Sequence, residues 1–203
     1  MRVPDYVYHA SSIRELTRLE PRASTHGTWL YAVGDPVLAA CFLSGTGGDL
    51  TCAVGRERET GRVYVCERFA GAFAHRYAGK PGSIYRLSAD GFVAHRTPWE
   101  EECVCDHAVR TCGETYIEDA AVHLERLARA GDLVLVHYPE RIDGIPANDA
   151  DLIDRAVVWL DRFGPDALRP FETYHPELLP RIRAAMSSST DRELPGSEEG
   201  ETE

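Results

Sequence analysis

The chain has 203 residues, enough for one domain or two small ones, and 43% of them are hydrophobic, which excludes disorder over the whole length. No stretch approaches about eighteen consecutive apolar residues, so no transmembrane helix is predicted. The formal net charge of −11 disfavours general binding to nucleic acid, because phosphate backbones attract basic surfaces. That charge still leaves room for a small arginine-lined pocket that binds one phosphorylated ligand.

The first residues, MRVPDYVYHASS, lack the apolar segment of a signal peptide, which predicts a cytoplasmic location. Without a secretory signal, the six cysteines are expected to be free thiols that are mostly buried.

Short apolar or alternating runs, several of them bounded by turn residues, predict seven strands. The predicted strands are residues 6–9, 28–33, 62–68, 83–87, 92–95, 101–105 and 132–138. Those in the middle of the chain follow one another with short connections. This order predicts a mostly antiparallel α+β fold and not an alternation of βαβ units.

Capping signals indicate where the helices begin and end. Asp35, followed by proline, predicts the start of a first helix that ends at Gly45. Thr115 and Glu118 have the spacing of a capping box, and the apolar stripe that follows predicts a second helix ending at Gly131.

The C-terminal part of the chain is predicted to be helical and then disordered. Asn148 with Asp151 predicts a third capped helix, which ends before Gly164. From Ser187 onwards the sequence holds six acidic residues, one arginine and a single aliphatic residue. We therefore predict one domain over residues 1–186 and an acidic disordered tail over 187–203.

Two segments near the N-terminus carry a family resemblance. Residues 8–11 read Tyr-His-Ala-Ser, and residues 27–32, Gly-Thr-Trp-Leu-Tyr-Ala, lead through Asp35 into a helix of small residues. This pattern resembles the ADP-ribosyltransferase-like superfamily, whose first strand carries Y-H-G-[ST] and whose later strand ends in tyrosine. The chain is similar, more closely, to small bacterial proteins that begin with YH[GA]SS and LxPR. It departs from the superfamily at Ala10, where glycine is usual.

The resemblance implies an ADP-ribosyltransferase-like fold, a split and strongly bent pair of small antiparallel sheets with flanking helices. The cleft between the sheets is expected to bind NAD as substrate. The family histidine contacts the ribose and orients the nicotinamide amide, and the family tyrosine stacks on the nicotinamide ring. Those residues would be His9 and Tyr31. Ser11 belongs to the first motif, and the planar guanidinium of Arg22 suits the pyrophosphate of NAD.

A third family position, usually glutamate, holds the ribose and stabilises the positive charge that develops when nicotinamide leaves. Glu100, Glu101 and Glu102 all lie where that strand begins, and the sequence leaves the choice among them open. Strand alternation places Glu100 and Glu102 on one face and Glu101 on the other. We favour Glu102 as the catalytic residue, with Glu100 as its alternative, because Glu102 directly precedes the apolar Cys-Val-Cys.

The resemblance therefore implies transfer of ADP-ribose from NAD to an unidentified acceptor. One alternative is an NAD hydrolase or an RNA 2′-phosphotransferase, although an acidic surface disfavours the latter. A second alternative is a binding module that retains the fold without activity.

A zinc site is a different possibility, raised by the pattern C-x-C-x-H-x4-C over Cys103, Cys105, His107 and Cys112. Side chains two apart on a strand are separated by roughly 6.5–7 Å, whereas two sulfurs on one zinc lie about 3.8 Å apart. We predict no metal.

Overall fold

The computed structural model describes residues 4–24 and 27–190, with side chains as far as residue 187. The chain divides into two compact units, Met1–Ile142 and Asp143–Glu203. The sequence analysis had predicted one domain over residues 1–186. The predicted tail lies outside the described residues from 191 onwards, but its first four residues continue the last helix to Thr190. None of the described helices has the length and apolar character needed to cross a bilayer.

The described part of the first unit contains eleven strands. In chain order these are β1 Tyr6–Ser11, β2 Arg18–Leu19, β3 Arg22–Ser24, β4 Gly27–Val33, β5 Cys52–Arg56, β6 Val63–Glu67, β7 Gly82–Ser88, β8 Val93–Ala94, β9 Glu102–Cys105, β10 Val109–Ile117 and β11 Leu133–Val136. The larger sheet has the order β2-β10-β7-β1-β4-β9-β8, with β3 also paired to β4. The smaller sheet has the order β11-β6-β5.

The α+β class is confirmed, and the larger sheet is antiparallel throughout its described pairings. The expectation of small antiparallel sheets is corrected in two respects. The larger sheet has eight strands, and the smaller one is mixed because β11 runs parallel to β6. Strands β2, β3, β5 and β10 were not predicted. The first two are very short, β5 contains glycine and arginine, and the end of β10 was predicted as the start of a helix.

Six α-helices lie in the described residues. They are α1 Pro36–Ala40, α2 Ala72–Tyr77 and α3 Ala120–Ala130 in the first unit, and α4 Ala150–Phe163, α5 Arg169–Tyr174 and α6 Leu179–Thr190 in the second. The predicted cap at Asp35 is confirmed, because its carboxylate accepts a 2.8 Å hydrogen bond from the Val37 amide. Helix α1 nevertheless ends at Ala40, well before Gly45.

The predicted start of the next helix is wrong. Thr115 lies inside β10, paired with Ile84 of β7, and not at a helix cap. The true N-cap is Asp119, whose carboxylate accepts hydrogen bonds from the amides of Ala121 at 2.8 Å and Val122 at 3.2 Å. Long-range strand pairing therefore overrides a local capping pattern, and the same helix ends at Gly131 as predicted.

The larger sheet buries apolar side chains on both faces. On one face, Val7, Tyr85 and Leu87 form a core together with Leu19, Leu30, Ala32, Phe92, Cys103 and Cys105. On the other face, Ile84 packs with Leu38 of α1 and Leu124 of α3. Because successive residues of a strand point to opposite faces, β1 and β4 contribute side chains to both cores. The candidate site lies where these two strands meet.

Candidate functional site

Strands β1 and β4 meet over a short stretch. Their regular pairing in the described residues consists of Tyr8 opposite Val33, whereas β1 pairs with β7 along its whole length. Beyond that pair, the side chain of His9 bridges the two strands. Its Nδ1 donates a 2.7 Å hydrogen bond to the backbone carbonyl of Tyr31.

This contact defines the tautomer that the neutral His9 ring adopts. A carbonyl oxygen can only accept, so Nδ1 carries the proton and Nε2 remains an acceptor in the neutral ring. Burial lowers the pKa of His9, the hydrogen bond to Tyr31 partly opposes that effect, and the positive charge of Arg22 lowers the pKa further. The imidazole is therefore neutral near pH 7.

A cavity of about 150 Å³ opens beside this junction. Residues of β1 and β4 line it together with Ala39 and Phe42, and Glu102 reaches it from β9. Of the residues predicted from the sequence, His9, Tyr31 and Glu102 all line this one cavity. The strand order β1-β4-β9 explains how they meet, since it places three segments from distant parts of the chain side by side.

A second cavity of about 230 Å³ shares His9 and Tyr31 with the first. Ser11 and Arg22 line it as well, so all four residues predicted to bind the substrate border this second space. It also contains Arg18, whose guanidinium pairs with Glu20 at 3.0 Å. Arg22 is exposed and has no ion-pair partner in the described part of the chain, so its charge is available to an anionic ligand.

Tyr31 is held at both ends. His9 binds its carbonyl, and its hydroxyl lies in a short hydrogen bond with the hydroxyl of Ser24 on the neighbouring strand β3. The hydroxyl of Ser11 accepts a 3.1 Å hydrogen bond from the amide of Ile13, which stabilises the turn after β1. These contacts fix the ring and the loop that border the second cavity.

The three adjacent glutamates occupy three different environments. Glu102 is half-buried, opens β9 opposite Val33 and lines the first cavity. Glu100 is exposed and does not line that cavity. Because β9 begins at Glu102, Glu100 and Glu101 lie in the preceding turn and the expected strand alternation does not extend to them.

Glu101 belongs to an ion-pair network. Both of its carboxylate oxygens accept hydrogen bonds from Nε of Arg56 at 2.9 Å. The same guanidinium donates from Nη2 to Asp35 at 2.8 Å, and Asp35 caps α1. Glu101 therefore ties the turn before β9 to β5 and to the start of α1.

Several residues around the first cavity were not predicted. Tyr8 lines it although the sequence pattern pointed only to its neighbour, His9. Phe42 borders the cavity and makes an edge-to-face contact with Trp99, with ring centroids 5.6 Å apart. The carbonyl of Trp99 accepts a hydrogen bond from the amide of Glu102 at 3.2 Å, so this aromatic pair flanks the glutamate. Phe42 follows a segment of small residues, which gave no signal of its position.

The cysteines are free thiols as expected, with five buried and Cys112 exposed. Cys105, Asp106 and His107 bring potential metal ligands within 4.8 Å of one another. The sulfur of Cys105 lies 3.4 and 3.5 Å from the two ring nitrogens of His107. Burial raises the pKa of Cys103 to about 12, which keeps that thiol protonated.

Comparisons of the chain with protein families, with characterised proteins and with solved structures found no match.

Proposed function

We propose that the protein binds NAD in the two adjoining cavities and transfers its ADP-ribose group to an acceptor. The observation that supports this most strongly is the meeting of His9, Tyr31 and Glu102 around one cavity. These residues come from three strands, β1, β4 and β9. About seventy positions of sequence separate Tyr31 from Glu102. The family resemblance had named the first two and one of three glutamates for the third.

The donor set suits the parts of NAD. The first cavity offers an aromatic ring, a neutral imidazole and a carboxylate, which match a nicotinamide ring, a ribose hydroxyl and a cationic transition state. The second cavity offers Arg18 and Arg22, and arginine is the side chain best shaped for phosphate oxygens. Both cavities share His9 and Tyr31, so a ligand that occupies both must pass these two residues.

In this proposal each residue has a distinct role. Nε2 of His9 accepts a hydrogen bond from a ribose hydroxyl, because Nδ1 is already engaged with Tyr31. The ring of Tyr31, held at both ends, provides a rigid stacking surface. The carboxylate of Glu102 stabilises the positive charge that develops on the sugar as the bond to nicotinamide breaks.

The test combines binding with product analysis. Calorimetry with NAD up to millimolar concentrations measures binding, and chromatography of released nicotinamide measures turnover. Glu102→Gln should bind NAD and release little nicotinamide. Glu100→Gln, an exposed residue in the turn before β9 that does not line the cavity, serves as the matched control. Failure of the wild-type protein to bind NAD would contradict the proposal.

Product analysis also separates transfer from hydrolysis. Free ADP-ribose in an amount equal to the nicotinamide would mean that water is the acceptor and that the protein is an NAD hydrolase. Binding without nicotinamide release in any variant would favour the non-enzymatic module.

A further inference from the structure

A larger cavity of about 490 Å³ lies between the sheet and the helices α1 and α3. Its apolar walls include Val37 on α1, Ile84 on β7 and Leu127 on α3. Tyr8 also lines it. This volume falls within the range of roughly 300–1,000 Å³ that is typical of small-molecule sites. The cavity is therefore large enough for an organic ligand in its own right.

Arg86 provides the cavity with a positive charge. It stands between Tyr8 and Gly113 in the strand register, and its guanidinium lies over the ring of Tyr6, 4.8 Å from the centroid. Within the part of the chain that the structure describes, no carboxylate pairs with it. The aromatic contact holds the guanidinium in place and leaves its N–H groups available to a ligand.

The strand beside Arg86 leaves space for such a ligand. β10 has an irregularity between Thr111 and Gly113, and Gly113 then lies opposite Arg86. Two nitrogens of the guanidinium lie 3.9 Å from the position that a Cβ at Gly113 would occupy. A side chain there would lie against the guanidinium, so the glycine keeps this side of Arg86 open. Bulges of this kind commonly redirect side chains beside functional sites.

One acidic residue borders the cavity, but its carboxylate is engaged on the other face of the sheet. Glu114 borders it, but its carboxylate accepts hydrogen bonds from the hydroxyl of Ser83 at 2.5 Å and from the amide of Glu15 at 3.2 Å. Ser83 lies on the opposite sheet face from Arg86, because the two are three residues apart on one strand. The carboxylate of Glu114 is therefore directed away from Arg86.

The helix side adds donors. Nη2 of Arg126 lies 3.0 Å from Nδ1 of His123, and arginine can only donate, so Nδ1 accepts and Nε2 carries the proton. Burial and the charge of Arg126 both lower the pKa of His123, which keeps the ring neutral. The cavity thus has a neutral histidine as a possible N–H donor on this side.

We propose that this cavity binds an amphipathic organic anion, with its apolar body against Val37, Ile84 and Leu127 and its carboxylate on Arg86. An arginine fork accepts a carboxylate in two parallel hydrogen bonds, and the apolar walls contribute the burial that a simple anion would lack. This inference is independent of NAD binding at the other two cavities.

Calorimetry with a set of small probes tests the ligand class. Hexanoate should bind, 1-hexanol should bind about tenfold more weakly or worse because it lacks the charge, and hexylammonium should not bind. Acetate should not bind either, because it lacks the apolar body. Two results would overturn the proposal. One is equal binding of hexanoate and 1-hexanol, and the other is no binding of hexanoate at 10 mM, roughly the weakest affinity that defines a site.

Variants locate the site. Arg86→Gln should weaken hexanoate binding about tenfold or more, and Arg129→Gln on the exposed side of α3 is the matched control that should change nothing. Thr115→Glu, at an exposed position opposite Ile84, should abolish hexanoate binding by pairing with Arg86 and repelling the ligand. Melting curves establish that each variant is folded. Wild-type affinity in either folded cavity variant would show that hexanoate binds elsewhere.

Discussion

Nε of Arg56 donates to both carboxylate oxygens of Glu101 at 2.9 Å, which joins β5 to the turn that presents Glu102. The same arginine reaches Asp35 at the start of α1. The side chains of Arg56 and Glu101 are only 28% and 23% exposed, so solvent screens this pair incompletely. Glu101 therefore has a structural role. From the sequence, we had expected only that its side chain lies on the face opposite Glu100 and Glu102.

We expect Glu101→Gln to destabilise the protein by about 1–2 kcal/mol, because it leaves the Arg56 guanidinium with a weaker partner in a partly buried place. Urea denaturation followed by circular dichroism measures the change. Glu100→Gln is the control, since Glu100 is exposed. A free energy of unfolding equal in both variants would show that the ion pair contributes nothing measurable.

Glu102→Gln should lower kcat by about 10²–10³ while leaving the affinity for NAD nearly unchanged. The reason is that a carboxylate near the sugar acts mainly as positive charge develops, whereas the amide keeps the shape of the side chain. Steady-state nicotinamide release gives kcat, and calorimetry gives the affinity. A parallel loss of both quantities would mean that Glu102 binds the ground state and does not assist the chemistry.

Tyr31→Ala should remove most of the thermal stabilisation that NAD confers, whereas Tyr31→Phe should keep most of it. The phenyl ring preserves stacking and loses only the hydrogen bond to Ser24. Ser24→Ala removes that same bond from the other side and serves as the matched variant. If Tyr31→Phe loses the shift as completely as Tyr31→Ala, the hydroxyl and not the ring contacts the ligand.

The stability of the protein should depend on pH through His9. Its pKa is lowered in the folded state, mainly by burial, and returns to about 6.5 when the chain unfolds. Below about pH 6.5 the unfolded chain binds a proton at His9 more readily than the folded chain does. The contribution of His9 to the free energy of unfolding is therefore complete above that pH and decreases as the pH falls below it.

His9→Gln should flatten that part of the pH profile, measured as the melting temperature between about pH 5 and 8. An NMR titration of the His9 ring protons supplies the direct check. A ring that titrates at or above about 6.5 would contradict the neutral state assigned to it.

Local chemistry in the sequence was sufficient for the α+β class, for the cap at Asp35, for the end of α3 at Gly131 and for the free cysteines. Each of these depends on a few neighbouring residues: an oxygen that satisfies a free amide, a glycine that adopts a left-handed conformation, or an apolar thiol. The alternation of polar and apolar neighbours also predicted that His9 and Tyr31 lie on strands, as the structure shows.

Tertiary structure decided which of these residues meet. Thr115 and Glu118 imitate a helix cap, yet pairing with β7 makes residues 109–117 a strand. The three glutamates look equivalent in sequence, and only the start of β9 opposite Val33 brings Glu102 to the cavity while Arg56 binds Glu101. Such outcomes depend on hydrogen bonds and charges between residues far apart in the chain, and the energy of those contacts leaves no pattern in the local sequence.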